Sequence, residues 1–152
     1  MKLRPVVDAD LEALFHHQAH PEVKALAEHP GRDRDAFFVH MRERVMNRPD
    51  ALFDVIELDG GVIAGNVCAW AADGKWWLGY LLGREFWGRG LATAAVRAFL
   101  PTVTARPLFA DVAKANVPSQ HVLEKCGFQR IAEHPNGFEY ELPLLPRRRG
   151  SG

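Results

Sequence analysis

The chain has 152 residues, 47% of them apolar and 25% charged, the size and balance of one globular domain. Lys plus Arg and Asp plus Glu are 19 each, so the net charge is zero, which argues against partners held by bulk attraction, namely nucleic acid or an anionic membrane. No apolar run approaches the ~20 residues of a membrane span, MKLRPVVDAD has no apolar signal region, and Cys68 and Cys126 read as buried thiols of a reducing compartment; the expectation is a cytoplasmic domain.

Residues 3–7 read as a first strand. Asp8 is positioned to cap a helix carrying Leu11, Leu14 and Phe15 at helical spacing. Pro21 opens a short second helix, and His29-Pro30-Gly31 breaks the chain. Asp33 or Asp35 caps a third helix with Phe37, Phe38, Met41 and Val45 on its buried stripe, ended by residues 47–50.

The period then changes to two. Residues 52–58 and 62–71 are strands around Asp59-Gly60-Gly61, and residues 76–82 follow Ala72-Asp73-Gly74, making an antiparallel meander. A glycine-spaced turn leads into a helix over residues 90–100, whose stripe Leu91, Ala94, Ala95, Ala98 and Phe99 is expected to face the sheet. Residues 107–112 form a strand parallel to 76–82, with that helix as crossover. Residues 118–125 form a helix stopped by Gly127. Strands 128–134 and 138–144 flank Pro135-Asn136-Gly137. Residues 1–145 make one domain, and residues 146–152 (PRRRGSG) read as a disordered basic tail. The fold class is α/β (α+β): a mixed, mostly antiparallel sheet with a central parallel pair and helices on both faces.

The strand, glycine turn and helix of residues 78–98, LGYLLGREFWGRGLATAAVRA, place bare backbone N–H groups and a helix N-terminus at one point, which suits a phosphate. Alone, such a turn is a weak signal. A second segment, residues 116–128, NVPSQHVLEKCGF, strengthens it.

Together the two segments resemble the GNAT superfamily of acetyl-CoA-dependent N-acetyltransferases. The family pattern is Gln or Arg, two residues, Gly, one residue, then Gly or Ala; here it is Trp87-Gly88-Arg89-Gly90-Leu91-Ala92. The second signature is Asn116, Ser119 and Lys125-Cys126-Gly127-Phe128. Trp87 departs from the general pattern and, with residues 78–80 and 122–125, is similar to the branch that contains the Rim-type ribosomal-protein N-terminal acetyltransferases, many of whose members act on other amines.

The resemblance implies acetyl-CoA as donor, with no metal, and an amine acceptor that the sequence does not identify. The pyrophosphate would lie over the N–H groups of Gly88, Arg89, Gly90, Leu91, Ala92 and Thr93. Gly88 and Gly90 have no Cβ to block that approach. Arg89 and Arg84 add charge. The pantetheine arm would lie along the strand ending at Leu82, and Asn116 would hydrogen-bond it. The acceptor groove would be formed by residues 21–31, strand 76–82 and the last hairpin.

An amine attacking a thioester needs its proton removed, the oxyanion held and the leaving thiolate protonated. The tyrosine that often supplies the last proton in the family corresponds to Leu123 here. Ser119, one turn earlier, is the substitute candidate, and a capping serine is an equal reading of it. Glu57, Glu85, Asp73, Asp111, His121 and His134 are candidate bases, though water also serves.

The cluster of His16, His17 and His20 lacks a carboxylate or cysteine to complete a metal set and reads as a solvated helix end. Trp76 and Trp77 point to opposite faces, one into the core and the other toward the acceptor groove or a homodimer contact. The expected function is N-acetyl transfer to a primary amine, on a peptide N-terminus or a small molecule, by direct attack on the thioester. The alternative is a catalytically inactive acyl-CoA-binding sensor.

Overall fold

The structure is a computed structural model that describes residues 1–28 and 30–144. His29 and the basic tail lie outside the described residues.

Among these, seven strands form one sheet in the order β1-β2-β3-β4-β5-β7-β6. They are β1 (Lys2–Pro5), β2 (Ala51–Glu57), β3 (Ile63–Ala72), β4 (Lys75–Leu82), β5 (Leu108–Ala113), β6 (Gln129–His134) and β7 (Gly137–Leu142). Every neighbouring pair is antiparallel except β4 with β5. The helices are α1 (Leu11–Ala19), α2 (Pro21–Ala27), α3 (Arg34–His40), α4 (Leu91–Phe99) and α5 (Val117–Lys125).

Alternation along β2 assigns the two faces. Val55 packs with Leu11, Leu14, Phe37 and Met41. Its neighbour Ile56 packs with Phe86 and Ala95. α1 and α3 therefore cover one face, and α4 covers the other. On that second face Val67, Leu78, Leu108 and Ala110 meet Val96 and Phe99 of α4 and Leu123 of α5. Burying each Val, Leu or Phe of this set is worth ~1.5–3 kcal/mol.

Tyr140 of β7 ties α5 to the sheet. Its ring is fully buried, and its hydroxyl donates to Glu124 Oε2 at 3.0 Å and accepts from Arg130 at 3.1 Å. Gln120 on the same helix donates to the carbonyls of Ala113 and Lys114. The end of α5 follows the expected stop: Gly127 N–H bonds to Glu124 O and Phe128 N–H to Leu123 O.

Two local expectations are corrected, and a third gains a detail. Neither Asp8 nor Asp10 caps α1 with its side chain; a 3-10 turn, Asp8–Asp10, leads into the helix. Asp10 accepts from Val7 N–H at 2.8 Å and holds Arg4 through two 2.8 Å bonds, while Asp8 turns outward to Arg42. On α4 the buried positions are Ala95, Val96 and Phe99, with Ala94 and Ala98 exposed. The stripe is rotated by one residue because both phases of this alanine-rich helix are apolar. The third helix, capped by Asp33 through Ala36 N–H, continues past α3 as a π-helical turn over Met41–Val45, closed by Met46 N–H to Met41 O.

Candidate functional site

β4 and β5 pair only at Trp76 with Leu108 and Trp77 with Phe109. Beyond that point β4 stays bonded to β3 as far as Leu82, and β5 to β7 as far as Ala113. Each strand follows its antiparallel partner, and sheet twist separates them into a wedge. Gly83 N–H bonds to Ala64 O. By alternation the amide groups of Tyr80 and Leu82 face away from β3, into the wedge.

At the end of β4 the chain makes a short 3-10 turn, Arg84–Phe86, and enters α4 through Gly88 and Gly90, whose φ angles are +78° and +75°. The indole N–H of Trp87 donates to Leu82 O at 3.2 Å and bends the turn back onto the strand. Among the described residues no side chain caps α4, and no acid stands in its first turn. The first-turn N–H groups therefore have no partner inside the helix and carry its positive dipole end. A Cβ on Gly88 or Gly90 would point into open space.

That space belongs to a hollow of about 430 Å³. Leu82, Trp87, Gly88, Gly90, Leu91, Ala92, Thr93, Asn116 and Ser119 all line it. Arg89 does not. Its guanidinium lies over the Phe86 ring and donates to Glu85 O at 3.3 Å. Arg84 is likewise engaged, with Glu22 at 2.8 Å and over the Trp87 ring.

The loop from β5 and the first turn of α5 bring in the remaining groups. Asn116 caps α5, its side-chain oxygen accepting from Ser119 N–H at 3.2 Å. The Ser119 hydroxyl is not a cap. It lies 2.5 Å from the Tyr80 hydroxyl, which also donates to Ser119 O at 3.0 Å. Burial pushes the Tyr80 phenol well above its ordinary range, so it is a proton donor throughout neutral pH. Leu123 is buried in the core. Tyr80, which sequence reasoning did not single out as a site residue, places a phenol in the wedge from the strand side. Strand alternation, which puts it on the face of Leu78, was the signal available.

A second hollow, of about 640 Å³, opens on the opposite sheet face and shares Val23, Ala27, Tyr80 and Leu81 with the first. Residues 21–31 and β4 contribute to it as expected. The last hairpin does not; α3, its π turn and the outer ends of β2 and β3 take that place. Its aromatic wall is Trp70, whose ring lies over Gly79. Trp76 packs in the core, and Trp77 donates to Ala72 O and lies against Phe109. Half-buried Cys68 also lines the hollow, its thiol pushed up to about 12 by burial.

The candidate bases do not converge. Glu57 is held by Arg4 and Lys2, Asp111 pairs with His134, and Asp73 sits in a turn at positive φ. Of the six, His121 alone lines the first hollow and none lines the second. The second hollow instead holds His40, kept neutral by burial and by the nearby Arg32 and Arg44. His17 is not a solvated helix end. It is 8% exposed, edge-on to Phe86, and its Nδ1 has no partner. Among the described residues no group of three or more His, Cys, Asp and Glu is placed to hold a metal ion, and no helix is long and apolar enough to cross a membrane.

Comparison with known proteins gives a consistent likeness. The acetyltransferase (GNAT) domain family matches residues 1–129. Spermidine N-acetyltransferase from Vibrio cholerae, solved with CoA and spermine, superimposes with a TM-score of 0.78 at 16% identity over 92% of each chain. An acetyltransferase (GNAT family) from Bacillus anthracis gives 0.75 at 18% identity, covering 91% of this chain and 90% of that one. An aminoglycoside acetyltransferase in complex with coenzyme A gives 0.74 at 20% identity over 91% of each. No curated protein matches the chain.

Proposed function

The chain belongs to the acetyltransferase (GNAT) domain family, and from that premise we propose that it is an acetyl-CoA-dependent N-acetyltransferase acting on a primary amine. One observation carries the reading: a single hollow joins the uncapped start of α4, the wedge between β4 and β5, and the paired hydroxyls of Tyr80 and Ser119.

In this reading the diphosphate of acetyl-CoA meets the N–H groups from Gly88 to Thr93, where a Cβ at Gly88 or Gly90 would otherwise stand. The main chain of Tyr80 and Leu82 offers its open groups to the amides of the pantetheine arm. The Asn116 side-chain N–H₂, which bonds to no described group, faces the same hollow. The thioester then lies beside Tyr80 and Ser119. The amine nitrogen, arriving from the second hollow, bonds to the acetyl carbon as the carbon–sulfur bond breaks. The departing sulfur takes its proton from Ser119 as Tyr80 protonates the serine oxygen, the amine loses its proton to water, and Tyr80 recovers a proton from water. The Rim-type features at Trp87 and residues 78–80 keep a peptide N-terminus among the acceptors this reading covers.

The observation favouring a non-catalytic acyl-CoA sensor is Leu123, buried where the family often has an acidic tyrosine. Calorimetric titration with acetyl-CoA, CoA and ATP separates the cases. Micromolar binding of acetyl-CoA that ATP does not match, followed by thiol release with an amine, supports the enzyme. Binding without release over a broad amine panel supports the sensor. No binding of acetyl-CoA removes both.

A further inference from the structure

The hollow on the α1–α3 face has an uneven charge. Lys24, Arg32 and Arg44 line it, and the one acid among its described lining residues is Asp50. Asp50 is exposed and lies 3.5 Å from Arg48. Among the described residues no carboxylate is paired with Lys24, Arg32 or Arg44. The contrast is local: Arg34 and Arg42, on the same helical segment but outside the hollow, are each paired, with Glu12 and Asp8.

The backbone that carries two of these cations is held in place. Gln18 grips the backbone of Arg32 at both ends, accepting from its N–H at 3.0 Å and donating to its carbonyl at 2.9 Å. Arg44 rides on the π turn that ends in the Met46 to Met41 bond. Both guanidiniums are close enough to His40 to help hold it neutral. A hollow that is apolar at Phe37, Met41 and Trp70 and cationic at one side fits a ligand with an anionic end.

We propose that the acceptor is a small molecule carrying an amine and a carboxylate or phosphate a few bonds apart. Its anionic end is held by Arg32 and Arg44 with Lys24 beside them, and its amine reaches toward Tyr80 and Leu81 at the wall shared with the first hollow. A diamine of similar length brings a second cation against those three and is disfavoured. This rests on the acetyltransferase reading and names the substrate class of that site.

The test is thiol release from acetyl-CoA with matched amines: γ-aminobutyrate against putrescine, and O-phosphoethanolamine against ethanolamine. The two anionic members distinguish a carboxylate from a phosphate end. The expected result is a kcat/KM for at least one anionic amine about tenfold or more above its partner, the size of one charge-assisted contact. Changing Arg32→Gln and Arg44→Gln together should bring that ratio near one. Arg34→Gln, outside the hollow, should leave it unchanged. Equal or greater use of putrescine and ethanolamine overturns the proposal, as does no consumption of either anionic amine at millimolar concentration. A parallel acetyl-CoA titration keeps the two readings apart. If acetyl-CoA binds and the preference is absent, only the acceptor class falls; if it does not bind, the acetyltransferase reading falls with it.

Discussion

The Tyr80 hydroxyl on β4 and the Ser119 hydroxyl on α5 lie 2.5 Å apart across the wedge where β4 leaves β5. Each oxygen has one hydrogen to give. When Tyr80 donates to Ser119 O, Ser119 donates to Tyr80. When Tyr80 donates to the serine oxygen, the serine hydrogen is free to point into the hollow. In the proposed reaction the second arrangement would relay a proton, the serine hydrogen going to the leaving sulfur as the tyrosine hydrogen moves to the serine oxygen.

Removing either hydroxyl should lower kcat with little effect on acetyl-CoA affinity. A thiol has an ordinary pKa of about 8.5, so a thiolate leaves readily and needs less help than the ~10²–10⁴-fold usual for acid catalysis. Tyr80→Phe and Ser119→Ala are each expected to reduce kcat about tenfold to hundredfold. The double variant should be no worse than the poorer single one, because the two act as a unit. Steady-state kinetics with separate kcat and KM values check this. Losses that multiply, or that fall on KM alone, would show that the pair only packs α5 against β4.

Gly90→Val separates ligand binding from folding. At φ +75° a side chain costs roughly 1–2 kcal/mol in backbone strain. No described atom lies within contact distance of the added Cβ, so the protein should still fold, with a melting temperature a few degrees lower. Acetyl-CoA affinity should fall far more than that strain explains, because the Cβ occupies the space above the first-turn N–H groups. Paired calorimetry and thermal melts read both quantities. Unchanged affinity in a folded variant would sink the diphosphate assignment.

Much of this site was legible because it is local in sequence. The spacing of Gly88 and Gly90, the stop of α5 at Gly127 and the parallel pair β4–β5 all follow from residues a few positions apart or from strand–helix–strand order. What was missed depends on long-range placement. Tyr80 and Ser119 are 39 positions apart, and their contact depends on Tyr140, Gln120 and the β5–β7 ladder holding α5 in position. Trp70, rather than Trp76 or Trp77, faces the second hollow because the β2–β3–β4 register sets its ring over Gly79. Arg89 looked like a phosphate ligand by position, yet Phe86 and Glu85 hold its guanidinium outside the hollow's lining.

Gly83→Ala should destabilise the protein. An added Cβ would fall 2.6 Å from His17 Cδ2, and His17 is packed against Phe86 with no open side. Overpacking of this kind costs about 1–3 kcal/mol. Chemical denaturation should show a lower midpoint at unchanged slope. Combining it with His17→Ala, which vacates that volume, should recover part of the loss. Additive losses would show that the contact is not the cause.

The same histidine sets a pH dependence of stability. Burial is the main cause that lowers His17, with the neighbouring His16 adding a little and Glu85 opposing. Burial first, then Arg32 and Arg44, lower His40. Both groups have folded values below the ordinary one of about 6.5, so the unfolded chain binds more protons in the window beneath it. Their contribution is fully present above about pH 6.5 and is lost as pH falls through the folded values. A second loss follows at lower pH. Asp10 is held down first by its bonds to Arg4, so its contribution disappears as pH falls through its depressed value. The two losses are separable. His17→Leu replaces a buried ring whose Nδ1 has no partner, so it should leave stability near pH 7 unchanged or raise it by about 1 kcal/mol. It should also flatten the loss that sets in below about pH 6.5 and keep the later one. Salt should weaken only the share of His40 that comes from Arg32 and Arg44. Thermal melts across pH on both proteins check this; parallel curves would mean that His17 is already solvated in the folded state.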